Sequence, residues 1–109
     1  MPSSYQLVCV YLNEADQWEH RPLHLEILQF LHDAGCSGGT ALRGVAGFTA
    51  GAGVVSPSLL EVGSKLPVVV QFVDRAEKVA EVMPTLRRMA GRRLITLQDI
   101  QVVPAGETG

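Results

Sequence analysis

The sequence predicts an α+β fold in which an antiparallel sheet carries two helices on one of its faces. Two strongly apolar runs, residues 7–12 and 67–73, are typical of strands. Each run is followed by a segment that repeats apolar residues at helical spacing. A glycine-rich stretch lies between the two halves, so the chain is predicted to contain two strand–helix–strand units in succession.

The two apolar runs do not alternate as a strand with one solvent-facing side should. Residues 7–12 (LVCVYL) and 67–73 (PVVVQFV) are apolar at odd and even positions alike. We therefore expect both faces of the sheet to be covered. Two helices suffice for one face, and a second copy of the chain is the simplest cover for the other.

The first half contains a strand at residues 5–12, a polar loop at 13–21 and then a helix. Pro22 fits the first helical position, where its missing N–H is not needed. Gly35 fits a left-handed residue that ends the helix. The helix has one apolar stripe, formed by Leu23, Ile27, Phe30, Leu31 and Ala34.

A second strand is predicted at residues 38–48, where four glycines loosen the pattern. Residues 49–60 are rich in Gly, Ala, Ser and Pro, which is typical of a mobile loop. Within and just after it, residues 58–62 could form a short edge strand or a helical turn.

The third strand is predicted to begin after Leu66 and to end at Asp74. Asp74 and Glu77 have the spacing of a capping box that starts the second helix. The apolar stripe of that helix comprises Val79, Val82, Met83, Leu86 and Met89.

Pro84 lies within the stripe of the second helix and should kink or split it. Arg87 and Arg88 match the negative end of the helix dipole, and Gly91 ends the helix. A fourth strand is predicted within residues 94–103, from Ile100 onward, and the tail after it is expected to fray.

The resulting order is β-α-β-β-α-β, the ferredoxin-like or split βαβ pattern. At 109 residues the chain is predicted to be one domain, residues 1–109, with an ordered core over about 5–103.

Composition and charge limit the classes of function that we expect. The net charge is −2, so no global field favours nucleic acid. No run approaches the roughly 18 apolar residues of a membrane span, and the start carries no secretion signal, so we expect a cytoplasmic protein. Cys9 and Cys36 fit reduced thiols, with Cys9 in the core.

Three segments carry a family resemblance: residues 35–40 (GCSGGT), 42–48 (LRGVAGF) and 65–70 (KLPVVV). Residues 11–14 (YLNE) and 21–23 (RPL) fit the same pattern. Over about residues 6–103 the chain resembles the PII-like family of uncharacterised bacterial proteins (domain of unknown function 190). More distantly, it is similar to the PII nitrogen-signalling proteins. The resemblance implies a ferredoxin-like homotrimer that regulates rather than catalyses.

PII proteins bind adenine nucleotides in clefts between subunits, and the resemblance implies such a site here. The implied ligand-binding residues are Thr40, Gly47, Phe48, Gly91, Arg92 and Arg93, with Gly38, Gly39 and Arg43 as a wider set. The chain departs from PII at Thr49, where PII has a glycine, in its single glycine at 91 and in lacking basic residues after Val103. The loop at 49–60 has no tyrosine, so uridylylation is not expected.

The arginines also have structural interpretations. Arg92 and Arg93 could cradle a phosphate, or they could simply match the helix dipole. Arg43, in an apolar strand, must reach solvent, a carboxylate or an anion, and an ion pair across a subunit interface is slightly favoured over a ligand contact.

No metal site or catalytic set is predicted. His24 and His32 are two helical turns apart, roughly 12 Å, so one ion cannot join them within a subunit. Together with His20 they are expected on the solvent side. Cys36 lacks a partner at zinc-finger spacing. Trp18 lies in an acidic loop with Glu14, Asp16 and Glu19, which could contact a neighbouring subunit or remain solvated.

The leading hypothesis is therefore a homotrimeric PII-like regulator, not an enzyme, with no cofactor other than a small anionic effector such as an adenine nucleotide. Effector binding would order residues 49–60 and change contacts with a partner such as a membrane transporter. Two alternatives stay open: a structural or metal-tolerance trimer of the same fold, and an enzyme of the ferredoxin-like dimeric-barrel type.

Overall fold

A computed structural model describes residues 4–49, 53–54 and 66–106. Its elements in chain order are β1 (Tyr5–Asn13), β2 (Gln17–Trp18), β3 (Arg21–Pro22), α1 (Leu23–Asp33), β4 (Thr40–Arg43), β5 (Pro67–Arg75), α2 (Ala76–Ala90) and β6 (Ile95–Ile100). The main sheet has the order β4-β5-β1-β6, and all its pairings are antiparallel. The predicted α+β, ferredoxin-like arrangement is confirmed.

Strand β1 lies at the centre of the sheet. It pairs with β5 along its whole length, from Tyr5 opposite Arg75 to Asn13 opposite Pro67. On its other side, Tyr5 lies opposite Ile100 and Val10 opposite Ile95. This register brings the end of β1, the start of β5 and the start of β6 to the same end of the sheet.

Both helices pack on one face of the sheet, where the core forms. Alternate residues of β1 and β5 point to that face and are buried: Val8, Val10, Leu12, Val68, Val70 and Phe72. They meet the helix stripes, whose buried members are Leu23, Ile27, Leu31, Val79, Val82, Leu86 and Met89. Each large apolar side chain removed from water contributes about 1.5–3 kcal/mol, so this layer supplies most of the folding free energy.

The opposite face of the sheet, which we call the open face, is also apolar. It presents the other set of alternate residues, including Leu7, Cys9, Tyr11, Leu42, Val69 and Val73. Leu42 is 49% exposed and Tyr11 38% exposed. None of the helices and strands in the described ranges lies over this face, which is the unbalanced burial that the sequence predicts.

Two strand boundaries differ from prediction. Strand β4 covers only Thr40–Arg43, because regular pairing with β5 ends there, although the N–H of Gly44 still donates to the carbonyl oxygen of Pro67. Strand β6 begins at Ile95, not Ile100, because Val10 and Val8 of β1 pair with Ile95 and with Leu97. The segment at 58–62 lies outside the described residues.

The polar loop at 13–21 contains a small hairpin that the sequence analysis missed. Strands β2 and β3 pair through Gln17 opposite Pro22 and Trp18 opposite Arg21. The turn residues Glu19 and His20 both have positive φ, 51° and 68°. Pro22 is consequently extended, with ψ 121°, and precedes α1 instead of occupying its first turn.

The start of α2 also differs from prediction. Its N-cap residue is Arg75, and no side chain caps the helix, so the capping box is wrong. Asp74 is instead the last but one residue of β5, and its buried carboxylate accepts hydrogen bonds from the backbone N–H groups of Ser37 and Arg75, at 2.9 and 2.8 Å. Pro84 lies inside one continuous helix and does not split it.

The predicted glycine ends of both helices are confirmed. Gly35 and Gly91 adopt left-handed conformations, with φ of 86° and 63°. Among the described residues, neither helix has the length and apolar character needed to cross a membrane.

Candidate functional site

An open cleft of about 870 Å³ lies at the end of the sheet where β1 ends and β5 and β6 begin. The turn after α2 reaches this end because the N–H of Tyr11 donates to the carbonyl oxygen of Leu94, at 3.0 Å. The segment after β4 reaches it because Gly44 donates to the carbonyl oxygen of Pro67, at 2.8 Å. The lining residues are Tyr11, Leu12, Asp16, Phe48, Thr49, Pro67, Arg92, Arg93 and Leu94.

The turn at residues 91–93 is held in place by its own helix. The N–H of Gly91 donates to Arg87 O, and that of Arg93 donates to Ala90 O, at 3.0 and 3.1 Å. The guanidinium of Arg87 donates in turn to the carbonyl oxygens of Gly91 and Arg93. The left-handed φ of Gly91 permits this reversal without strain. The turn therefore presents residue 92 from a fixed base.

Arg93 is paired within the subunit. Its Nε donates to Oδ2 of Asp16 at 2.8 Å, and its Nη1 donates to Ala90 O at 3.2 Å. The same Oδ2 accepts the backbone N–H of Asn13, at 2.8 Å. The ion pair joins the turn after α2 to the β2–β3 hairpin, whose next backbone bond runs from Leu23 N to Asp16 O.

The environment of this ion pair favours the charged forms. Burial alone would raise the pKa of Asp16, but the hydrogen bonds from Arg93 and Asn13, together with the positive charge of Arg93, hold that pKa below its usual value. The hydrogen bond to Asp16 raises the pKa of Arg93 against the opposing effect of burial. Both groups stay ionised across the neutral range, so the pair persists there.

Arg92 is the exposed cation of the cleft. It lies next to the cleft wall and forms no hydrogen bond or ion pair with any residue of the described ranges. A guanidinium presents several N–H donors in a planar fork that suits a phosphate or a carboxylate. Arg92 can therefore bind an anion without first losing a partner.

Part of the cleft lining is apolar. Tyr11, Leu94 and Phe48 expose 38%, 59% and 69% of their surfaces. Exposed aromatic faces next to a cation suit a flat, partly apolar ligand that bears a negative group.

The residues implied by the family resemblance divide between two places. Phe48, Arg92 and Arg93 line the cleft, and Gly47 and Gly91 lie directly beside it. A Cβ at Gly47 would come within 3.2 Å of the Pro67 ring, so a side chain there would press on the cleft wall. Three residues lie elsewhere: Thr40 is exposed on edge strand β4, while Gly38 and Gly39 line a separate groove beside α1.

Arg43 lines neither the cleft nor the groove beside α1. Its Nη2 donates to Oε1 of Glu14 at 2.9 Å, and the same oxygen accepts the backbone N–H of Leu66 at 3.0 Å. The arginine thus has a carboxylate partner within its own chain. The sequence analysis had considered such an ion pair only across a subunit interface.

The sequence analysis did not assign Tyr11, Asp16 or Leu94 to the site. Asp16 was noted only as part of an acidic loop, and nothing in the sequence connects it with Arg93, 77 positions away. Tyr11 carried one usable signal, an aromatic residue at the end of a strand that is apolar on both faces.

The histidines do not cluster. His20 and His32 are exposed, as predicted, and His32 Nδ1 lies 3.1 Å from Oδ1 of Asp33. His24 differs, because it is half-buried and its Nδ1 is shielded from solvent without a partner in the described part of the chain. Residues 4–49, 53–54 and 66–106 contain no group of three or more His, Cys, Asp or Glu side chains placed to hold a metal ion.

Both cysteines are free and half-buried. Cys9 lies on the open face of the sheet, not in the core as predicted, because the core takes the even-numbered residues of β1. Burial and the negative charge of Asp74 raise the pKa of the Cys36 thiol, with Lys78 opposing them.

Comparisons with known proteins agree with the resemblance found in the sequence. The profile of the DUF190 family, described as "Uncharacterized ACR", matches residues 5–102. A UPF0166 protein of Methanocaldococcus jannaschii is 30% identical over 104 residues, which cover 94% of each chain. A UPF0166 protein of Aquifex aeolicus is 28% identical over 98 residues, covering 90% of this chain and 92% of the relative.

Proposed function

The chain belongs to the DUF190 family, and from this premise we propose that it is a cytoplasmic PII-like regulatory protein that binds a small anionic effector in the cleft at the end of the sheet. The effector class that the resemblance favours is an adenine nucleotide. The observation that carries the proposal is that one cleft is lined by the exposed aromatic side chains of Tyr11 and Phe48 and by Arg92, which has no partner among the described residues.

The proposed roles follow from the geometry. Arg92 meets the negative group of the effector, because its guanidinium has no competing partner in the described part of the chain. Phe48 and Tyr11 contact the flat part of the effector. Gly47 and Gly91 allow the backbone to approach on either side of the cleft.

The proposed assembly is a homotrimer whose subunits bury the open face. Leaving Leu7, Cys9, Val69 and Val73 next to water would forgo about 25 cal/mol for each Å² of apolar surface. A neighbouring subunit would cover this surface and bring a second wall toward each cleft. Thr40, Gly38 and Gly39 would then contribute to a cleft of the neighbouring subunit, as the resemblance implies.

The partner is proposed to be a regulated protein such as a membrane transporter. Phe48 and Thr49 lead from the cleft directly into the segment that the sequence analysis assigned to partner contact. Most of residues 49–60 lies outside the described ranges, so the proposed contact rests on the resemblance.

Calorimetric titration with ATP, ADP, AMP and cyclic AMP tests effector binding. We expect heat from at least one of them, and we expect Arg92→Ala to weaken its binding by about 10- to 100-fold, since a hydrogen bond to a charged group contributes about 1.5–3 kcal/mol. Arg88→Ala is the matched control, because Arg88 is exposed on the same helix end but does not line the cleft. Absence of heat with all four nucleotides would remove the nucleotide proposal.

The open face also fits the dimeric-barrel alternative, in which two sheets enclose a pocket. The assembled mass distinguishes the two proposals, because a barrel requires a dimer and the PII-like arrangement requires a trimer. Sedimentation equilibrium at micromolar concentration gives that mass directly.

A further inference from the structure

We infer that the cleft selects a ligand with a single phosphate group over one with a di- or triphosphate chain, because Asp16 already occupies the second arginine. The inference rests on the proposed function and specifies the ligand class of the same site. It makes Arg92 the phosphate-binding residue, and it makes Asp16 and Arg93 positioning residues.

The charges that line the cleft support this assignment. Among the residues that the structure describes, they are Arg92, Arg93 and Asp16, which together carry one net positive charge. Arg93 is held at 2.8 Å by Asp16 and also by the carbonyl oxygen of Ala90, so it must break two contacts before it can bind a ligand. A phosphate monoester carries about −1.5 to −2 charges near neutral pH, and one guanidinium fork can bind two of its oxygens.

A longer phosphate chain meets an obstacle in the same cleft. Each added phosphate brings more negative charge, and the carboxylate of Asp16 lines the space next to Arg93. The side chain of Asp16 is only 22% exposed, so solvent screens its charge less than that of a surface carboxylate. Like charges brought together at a binding site are a recognised means of rejecting a ligand.

The apolar lining of the cleft suits the part of the ligand that is not phosphate. Tyr11, Phe48 and Leu94 offer apolar surface suited to a ring system, and the volume of about 870 Å³ is within the range of small-molecule sites. The cleft thus pairs one ring-binding wall with one phosphate-binding residue, which are the two parts of a nucleoside monophosphate.

The test compares AMP with ATP, two probes with the same base and sugar, by calorimetry on the full chain in magnesium-free buffer at constant ionic strength. For the wild type we expect AMP to bind at least about tenfold more tightly than ATP. Asp16→Asn keeps an acceptor for the N–H of Asn13 but removes the negative charge and weakens the hold on Arg93. We expect it to raise ATP affinity about tenfold and AMP affinity by a smaller factor, so that the ratio of AMP to ATP affinity falls.

Asp33→Asn is the matched control, because it makes the same change of charge at an exposed position that does not line the cleft. Its ratio of AMP to ATP affinity should equal that of the wild type. Arg93→Gln is a second variant in case Asp16→Asn fails to fold. It leaves the carboxylate of Asp16 unpaired and should widen the preference for AMP.

The outcomes distinguish the proposed nucleotide binding from the inferred preference for a single phosphate group. If neither probe binds, the proposed nucleotide function itself fails. If ATP binds the wild type as tightly as AMP does, the function stands and the selectivity inference is wrong. If AMP is preferred but neither Asp16→Asn nor Arg93→Gln changes the ratio, the assignment to Asp16 is overturned.

Discussion

At the scale of single residues, the ion pair between Asp16 and Arg93 shows what sequence patterns cannot supply. Each residue has a reasonable local interpretation, one as part of an acidic loop and the other as a cation at a helix end. Their pairing depends on a register that places the hairpin after β1 beside the turn after α2. Arg92 and Arg93 look equivalent in the sequence, yet only Arg93 has a carboxylate partner in the described part of the chain.

The Asp16–Arg93 pair predicts a specific dependence of stability on pH. Because the pKa of Asp16 in the folded chain lies below its ordinary value of 3.8, the pair stabilises the fold above that pH. This stabilisation is lost as the pH falls from 3.8 through the lower pKa of the folded state. Asp16→Asn should therefore be less stable than the wild type at pH 7, and the difference should narrow below pH 3.8.

Urea unfolding followed by circular dichroism at a series of pH values measures that difference. Glu77→Gln, which removes an exposed carboxylate of α2, serves as the control and should change stability little at pH 7. A gap between Asp16→Asn and the wild type that stayed constant down to pH 2 would contradict the prediction.

Cys36 is predicted to react slowly with alkylating reagents. Burial, followed by the charge of Asp74, raises the pKa of its thiol, so less of the reactive thiolate is present at pH 7.5. Mass spectrometry after iodoacetamide treatment should show slower modification of Cys36 in the folded protein than in urea, with the rate rising as the pH increases. Equal rates in the two states would show that the folded environment does not protect this thiol.

At the scale of elements, predictions succeeded where the pattern was long and failed where the geometry was local. Both helices follow from apolar periodicity over many residues, β1 and β5 follow from long apolar runs, and glycines 35 and 91 mark the helix ends. The hairpin of β2 and β3 was missed because its turn is Glu19–His20, which lacks the Asn-Gly signature of such turns. The capping box was wrong because Asp74 is buried at the end of β5 instead of facing the first turn of α2.

The turn of this hairpin predicts a stabilising substitution. Left-handed backbone costs a residue with a Cβ about 1–2 kcal/mol, and His20 has φ 68°. His20→Gly should raise the free energy of unfolding by roughly 0.5–1 kcal/mol after the entropy cost of glycine is included. The same change at exposed His32 in α1 should lower it by about 0.5–1 kcal/mol. Urea midpoints compare the two variants, and destabilisation by His20→Gly would contradict the interpretation.

At the scale of the whole molecule, the most informative sequence feature concerned which faces of the sheet are apolar. Strands with apolar residues on both faces predicted a sheet with one face under the helices and one face left apolar, and β1 and β5 have this arrangement. The cleft could not be predicted in the same way. Its residues come from four separate segments, and only their packing brings them together.

The open face predicts how a charge should affect assembly. Val69 lies half-buried on that face beside Tyr11, so Val69→Lys would place a charge in the proposed subunit interface. We expect this variant to sediment as a single subunit at micromolar concentration while the wild type sediments as a trimer. Leu25→Lys, at an exposed position of α1, is the control and should assemble normally. A trimer that survives Val69→Lys would remove the open face as the interface.

Trp18 is the single tryptophan of the chain and lies two residues after Asp16 in the same hairpin. Its indole ring packs partly against the core, so both water and neighbouring groups influence its emission. Asp16 belongs to the same short backbone segment as this fluorophore, so we expect a change in the Asp16–Arg93 contact to alter the surroundings of the indole. The chain therefore contains an intrinsic fluorophore close to the cleft-lining Asp16, and binding of the proposed effector is expected to change its emission.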